Sequence, residues 1–110
     1  LIGKEAGRIN WTADSAALDR LVRAMTPWPG AFTEWAGAPL KVLRARPTAA
    51  RPDGSPGQVV ATPAGLAVLA GKGALLLDEV QPAGKRAMTA AEFARGRPEF
   101  IGSVLGGPRD

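Results

Sequence analysis

Residues 23–31 read RAMTPWPGA and mark the point where a helical pattern gives way to strands. A proline on each side of Trp28 fixes the backbone and removes an amide donor, so the preceding helix has to end here. Beyond the stretch, the apolar period shortens to two, which indicates β-strands. We therefore predict a stiff joint between helix and sheet, in which Trp28 packs and fixes the helix against the sheet.

The segment before this joint has the pattern of an amphipathic helix over residues 13–25. Thr12 is the predicted N-cap, and Asp14 lies in the first turn, where the helix dipole favours an anion. Asp19 and Arg23 are four residues apart and can form an ion pair on the surface. Apolar residues recur every three or four positions and predict one buried stripe. They are Leu18, Leu21, Val22 and Met25.

Five short apolar runs, separated mostly by turns rich in glycine and proline, predict five strands. The runs are residues 31–35, 40–46, 58–62, 66–70 and 74–80, with a polar, proline-rich loop at 47–56. Closing such strands into a small barrel would remove both sheet edges. The continuous apolar run in the fifth strand suits a central, doubly covered position. We predict a mainly β protein: an OB-like barrel with an N-terminal helix and a short C-terminal helix.

The two ends of the chain are predicted to be peripheral. Residues 1–11 are interpreted as a linker, in which Ile9 and Trp11 act as anchors, and residues 12–96 as the OB-like domain. Thr89 and Glu92 form a capping box that opens the short C-terminal helix. Residues 97–110 are interpreted as a tail, whose glycine-rich part from Glu99 is predicted to fray. Because the chain begins with leucine, we expect it to be a fragment of a longer protein.

The composition excludes several kinds of site. The 110 residues are enough for one domain, and they contain no cysteine and no histidine. Disulfides, thiolate catalysis, cysteine zinc sites and histidine bases are therefore excluded. No apolar run is long enough for a membrane helix, and we predict a soluble, cytoplasmic chain. With 14 Lys and Arg against 10 Asp and Glu, the net charge is +4, which fits an anionic partner such as RNA but also many ordinary domains.

The candidate binding residues are cations that we expect to be exposed, because burying them unpaired is costly. Lys72, between two glycines, is typical of a hairpin tip and lacks the spacing of a phosphate loop. Lys85 and Arg86 follow a turn and precede the capped helix. Together with other cations they are predicted to form a basic stripe that binds nucleic acid. The full set is Lys4, Arg8, Arg20, Lys41, Lys72, Lys85 and Arg86.

The three tryptophans admit two interpretations. Exposed indoles are stacking platforms in proteins that bind single-stranded nucleic acid. Buried indoles pack cores and joints. Neighbouring residues favour packing for Trp11 and Trp28, whereas Trp35 lies near a turn and is expected to be more open.

Three short motifs resemble the C-terminal domain of methionyl-tRNA formyltransferases, in the same order and at the same spacing. They are INW at residues 9–11, RAMTPWP at 23–29 and QPAGKRAM at 81–88. The family usually has Asp in place of Asn10 and Asn in place of Thr26. Both substitutes keep a side chain that forms hydrogen bonds, so neither undermines the fold. The resemblance covers about residues 4–96.

The resemblance implies an OB-like barrel that follows a Rossmann-type catalytic domain. That domain transfers a formyl group from 10-formyltetrahydrofolate to the amino group of initiator methionyl-tRNA, and it holds the family's catalytic Asn, His and Asp. We therefore expect no catalytic, cofactor or metal residue in this chain. Its implied role is to hold the tRNA through the phosphate backbone without reading the sequence.

Two other functions remain open at this point. Related formyltransferases that act on amino sugars or on folate carry similar C-terminal barrels, which would serve the architecture of the enzyme instead of binding RNA. A free-standing OB-fold would bind single-stranded nucleic acid by stacking and would place aromatic side chains on exposed strand faces. Tyrosine is absent and the six aromatic residues lie mostly at joints, which disfavours the second alternative.

Overall fold

The computed structural model describes residues 4–106, with the side chain of Lys4 left out. A 3₁₀ turn at Lys4–Gly7 precedes helix α1, and six strands, helix α2 and a second 3₁₀ turn at Pro98–Phe100 follow. The helices are α1 (Ser15–Met25) and α2 (Ala90–Gly96), and the strands are β1 (Ala31–Trp35), β2 (Ala38–Thr48), β3 (Val59–Thr62), β4 (Gly65–Leu69), β5 (Ala74–Pro82) and β6 (Met88–Thr89).

Helix α1 begins two residues later than predicted, and its N-cap is Asp14. An Asp14 carboxylate oxygen accepts a hydrogen bond of 2.8 Å from the amide of Ala17. The predicted cap, Thr12, instead donates its hydroxyl to Asn10 Oδ1 at 2.7 Å, and its amide donates to the same oxygen at 3.1 Å. This local turn at Asn10 competes with the helix and keeps residues 10–13 out of it. The predicted apolar stripe is confirmed, with Leu18 and Val22 buried.

The sheet is antiparallel, and the barrel prediction needs a correction. Its strand order is β1-β2-β5-β4-β3, and β6 also pairs with β5. Within residues 4–106, the two end strands β1 and β3 are not paired with each other, so hydrogen bonding does not close the sheet. The mainly β class, the N-terminal helix and the short C-terminal helix are confirmed.

The C-terminal segment fills the place where closure was expected. The Val59 amide of β3 donates to the Ser103 carbonyl at 2.9 Å, and the Gly102 amide donates to the Val59 carbonyl at 2.8 Å. Four residues further on, the Gly106 amide donates to the Glu34 carbonyl of β1 at 2.8 Å. Irregular backbone thus bonds to both unpaired edges, which limits their exposure. The fraying predicted from Glu99 is therefore wrong for residues 99–106.

The segments at both ends contribute to the same core as the sheet. Ile9 and Trp11 are buried, as the sequence predicts, and Phe100 and Leu105 are buried with them. Trp35 is half-buried and packs edge-on against Phe93 and Phe100, with ring centroids 5.5 Å and 5.3 Å away. The division of the chain at residues 11/12 and 96/97 stays a prediction.

Strand β5 has the central position that its apolar run predicts. Leu75 and Leu77 face the main core. Ala74 and Leu76 face the opposite side and form a second apolar cluster with Ala67 and Leu69 of β4. The main-core side of the sheet is covered by α1 and α2, which contact β5. A strand buried on both faces reads as a continuous apolar run.

The joint at residues 23–31 contains one backbone hydrogen bond and one hydrogen bond from a threonine side chain. The Thr26 hydroxyl donates to the Val22 carbonyl at 2.7 Å, and the Gly30 amide donates to the Met25 carbonyl at 2.8 Å. These bonds turn the chain from α1 into β1 without help from the indole. Trp28 is 69% exposed, so the prediction that it fixes the helix against the sheet is wrong.

One hydrogen bond of the core connects the segment before α1 to the sheet. The Trp11 indole Nε1 donates to Thr33 Oγ1 at 3.0 Å, and both side chains are buried. In the Thr33→Val variant the indole N–H would stay buried without an acceptor, so we expect the free energy of unfolding to fall by about 1–2 kcal/mol. Urea unfolding measures this loss. Thr33→Ser keeps the acceptor, and an equal loss in both variants would contradict the role of the bond.

Candidate nucleic-acid interface

Arg8, one of the seven predicted binding residues, is engaged in intramolecular contacts, and Lys4 lies outside the described side chains. Arg8 Nε is 2.8 Å from Glu5 Oε1, and its Nη1 is 3.5 Å from Glu34 Oε2. The guanidinium also lies 4.9 Å from the centroid of the Phe32 ring. The hydrogen bond with Glu5, against a smaller opposing effect of burial, raises the pKa of Arg8 above its ordinary value. Its charge is already balanced by carboxylates, so it is a poor candidate for phosphate contact.

Lys41 and Lys85 come together at one end of the sheet. Residue 41 of β2 pairs with residue 81 of β5, and Lys85 follows the turn that leaves β5. A shallow cavity lined by Lys41, Gln81 and Pro82 adjoins a second one lined by Pro82, Lys85 and Arg97. We call this region the end surface and define it by five residues: Lys41, Gln81, Pro82, Lys85 and Arg97.

The two lysines of the end surface carry uncompensated charge. Both are exposed, and neither forms an ion pair with any other described side chain. The Lys85 carbonyl accepts a hydrogen bond of 3.0 Å from Gln81 Nε2, which fastens the turn beside Lys41. Two solvated ammonium groups, one on β2 and one on the fixed turn after β5, are suited to contact a polyanion backbone.

Arg97 was not among the predicted binding residues, yet it belongs to the end surface. Its guanidinium lies 4.3 Å from the centroid of the Phe93 ring, and the side chain is half-buried. Phe93 lies in α2, and Arg97 is the C-cap residue that follows the helix. An arginine just after the helix, four residues beyond the phenylalanine, is the sequence signal for this pair. Because residues 97–110 were interpreted as a tail, Arg97 was not considered as a binding residue.

Arg86 is exposed, as expected, but it forms an ion pair with Glu92. The Thr89 hydroxyl accepts a hydrogen bond of 3.0 Å from the Glu92 amide, which confirms the predicted cap of α2. The Glu92 carboxylate is directed to Arg86, so the pair replaces the second half of the capping box. Arg86 therefore offers less free charge to a ligand than its neighbour Lys85.

The structure separates Lys72 and Arg20 from the end surface. Lys72 lies at the turn before β5, where its carbonyl accepts a hydrogen bond of 2.9 Å from the Ser15 amide. Lys85 lies beyond the other end of that nine-residue strand, which spans about 26 Å. Arg20 lies on the exposed face of α1 and lines none of the cavities of the end surface. The structure therefore does not join Lys72 or Arg20 to Lys41 and Lys85 in one surface.

The described part of the chain has little of the chemistry of an active site. Its buried polar side chains are Ser15 and Thr33, and both form hydrogen bonds. Its carboxylates lie at the surface or partly buried, and residues 4–106 contain no group of three or more acidic residues placed to hold a metal ion. Neither helix within that range is long and apolar enough to cross a bilayer. The candidate functional groups of the described surface are therefore its exposed lysine and arginine side chains.

Comparison with known proteins identifies the family. The family model described as "Formyl transferase, C-terminal domain" matches residues 1–98. The chain belongs to this family. It is 46% identical over 108 residues to the methionyl-tRNA formyltransferase of Roseiflexus castenholzii, and this alignment covers 97% of the chain and 34% of the relative. It is 48% identical over 107 residues to the enzyme of the same name from Thiobacillus denitrificans, covering 96% and 35% respectively.

The chain thus spans about a third of the length of these formyltransferase relatives. Among solved structures, it is similar to HypX from Aquifex aeolicus in complex with tetrahydrofolic acid, with a TM-score of 0.71 and 23% identity. That alignment covers 94% of this chain and 18% of HypX. At this identity the similarity to HypX concerns the fold alone.

Proposed function

We propose that this chain is the tRNA-holding domain of a methionyl-tRNA formyltransferase. The parent enzyme would work in the cytoplasm in translation initiation and would transfer a formyl group from 10-formyltetrahydrofolate to initiator methionyl-tRNA. A preceding Rossmann-type domain would carry the catalysis and the folate site. This chain would hold the tRNA by its backbone and would have no catalytic role alone.

The observation that carries the proposal is the identity of 46–48% to methionyl-tRNA formyltransferases over nearly the whole chain. This identity includes regions outside the short motifs, because it extends over 107 or 108 of the 110 residues. The relatives of this name give no support to the sugar, folate or free-standing alternatives.

The end surface is where we expect the backbone of the tRNA to lie. Lys41 and Lys85 are solvated and free of described ion pairs, so a phosphate does not have to displace a carboxylate to reach them. Arg97 lies beside them on the ring of Phe93. An ammonium group that contacts a phosphate acts as a point charge, so binding through such contacts is insensitive to sequence.

Replacing both lysines tests this assignment. In the Lys41→Ala/Lys85→Ala variant we expect weaker binding of initiator tRNA and a salt slope, d log K/d log [salt], whose magnitude is smaller by roughly 2. Fluorescence anisotropy at several salt concentrations gives both quantities. The control is Lys72→Ala, which removes one charge from an exposed lysine at the other end of β5 and is compared with the double variant per lysine.

Two outcomes would count against the end surface. One is a double variant that binds tRNA with the affinity and the slope of the wild-type chain. The other is a Lys72→Ala variant whose slope falls by as much per lysine as that of the double variant, because the charge effect would then not be localised.

A further inference from the structure

Trp28 is the most exposed of the large apolar side chains in the described part of the chain. It lines a groove of about 480 Å³ together with Pro29, Phe32, Pro39 and Lys41. An indole of this size is usually buried, and one left in water beside other apolar groups marks a place where something binds. Since the joint does not need the indole for its own packing, its exposure calls for another explanation.

The groove is held in a fixed shape around the indole. Bonds from Thr26 to Val22 and from Gly30 to Met25 fasten the backbone on both sides of Trp28. The aliphatic part of Lys41 lies over Gly30: a Cβ built on Gly30 would be 3.4 Å from both Cδ and Cε. Lys41 and the Trp28 indole thus line the same groove.

The charges of the groove are compatible with a nucleotide. Its two carboxylates, Glu5 and Glu34, are both paired with Arg8, at 2.8 Å and 3.5 Å. Lys41, which also lines the groove, forms no ion pair with any other described side chain, so its ammonium group is available for a phosphate. The groove also continues past Pro39 and Lys41 into the end surface.

We propose that Trp28 is a stacking platform for an unpaired base of the bound RNA, with an adjacent phosphate on Lys41. The inference rests on the proposed function. It adds a contact to a base, whereas the proposed function involves only contacts to the phosphate backbone. Base-paired nucleotides are stacked within their helix, so only loops, bulges and ends can present a free face to an indole. The domain would then prefer RNA that carries unpaired nucleotides over a plain duplex.

The test compares two RNAs with the same number of phosphates, one a blunt duplex and the other a stem–loop. For Trp28→Ala we expect roughly a tenfold loss of affinity for the stem–loop and no change for the duplex. Trp28→Phe keeps an aromatic face and should recover most of the loss. Lys41→Ala should weaken binding of both RNAs and reduce the magnitude of the salt slope by about 1. The Trp28 side chain is exposed, so both of its variants should unfold at the wild-type temperature.

Tryptophan emission supplies an independent measurement. Stacking of a base on Trp28 should quench part of the emission when the stem–loop is added, and the Trp28→Phe chain should lose that part. Equal affinity of the wild-type and Trp28→Ala chains for the stem–loop would overturn the stacking proposal while leaving the proposed function intact. A wild-type chain that binds neither RNA would overturn both, so the two failures are distinguishable.

Discussion

Replacing Phe100 by alanine is expected to lower the free energy of unfolding by about 3–5 kcal/mol. The Phe100 side chain is 0% exposed, although it comes from a segment whose composition suggests a loose tail. Its ring packs edge-on against Trp35 and Phe93, with centroids 5.3 Å and 4.9 Å away. Truncation to alanine leaves a cavity between these two rings. It also removes the buried side chain that anchors the chain just before Gly102 and Ser103, which form hydrogen bonds with β3. Chemical denaturation of the purified chain measures the loss.

Its matched control is the next residue, Ile101, whose side chain is 44% exposed. Because much of this side chain is already in water, we expect Ile101→Ala to cost less than about 1 kcal/mol. If Phe100→Ala were as mild as Ile101→Ala, residues 99–106 would not be part of the core, and the correction to the fraying tail would be withdrawn.

The second large effect is expected for Gly7→Ala. A Cβ built at Gly7 would lie 2.0 Å from the Gly30 carbonyl oxygen and 2.9 Å from its carbon. The clashing atoms belong to the backbone of the joint, so they cannot move aside as the end of a flexible side chain does. The substitution has to push the first segment away from β1, where the Ile9 amide donates to the Phe32 carbonyl at 2.9 Å. We expect a loss of about 3 kcal/mol, at the upper end for overpacking.

Gly96→Ala is the control for this change, since no atom lies within 4 Å of a Cβ built there. It is the last residue of α2, and we expect an effect within about 1 kcal/mol of the wild-type chain. Thermal unfolding of both variants under one set of conditions gives the comparison. Equal stability of the Gly7→Ala and Gly96→Ala chains would argue against close contact between the first segment and the joint.

Patterns that repeat along the chain predicted their elements well. The stripe through Leu18 and Val22 predicted the buried face of α1, and the apolar run of β5 predicted its central position. Such periodic signals follow from helix and strand geometry, so they are readable without knowledge of the partners. Helix starts depend on single competing hydrogen bonds, which is why Asn10 moved the cap from Thr12 to Asp14.

The exposure of Trp28 could not be read from composition or spacing. Prolines around an indole indicate a rigid joint, but they do not say on which side of the joint the indole lies. The hydrogen bonds that Thr26 and Gly30 donate in this turn do not involve the indole. The burial of Phe100 was missed for a similar reason: glycines around it suggested disorder, whereas the unpaired edge of β3 gives this segment a partner.

The sequence predicted which types of residue form the candidate site, but not which of these residues are neighbours. Exposed lysines were expected at positions 41, 72 and 85, and all three are exposed. Which of them are neighbours depends on the pairing of β2 with β5, and sequence spacing alone does not contain that register. Arg8 pairs with Glu5 three residues away and with Glu34 across the fold, and Arg86 pairs with Glu92 six residues away. The end surface thus contains two of the predicted cations, Lys41 and Lys85.

The most direct test of the account is the salt dependence with which the wild-type chain binds initiator methionyl-tRNA. We expect log K to fall linearly with log [salt] between about 50 and 200 mM, with a slope of magnitude roughly 2 or more. An elongator tRNA of similar size should give nearly the same slope and affinity, because phosphates are contacted and sequence is not. Absence of binding at the lowest salt, or binding that salt does not weaken, would contradict the claim that this domain holds tRNA by its backbone.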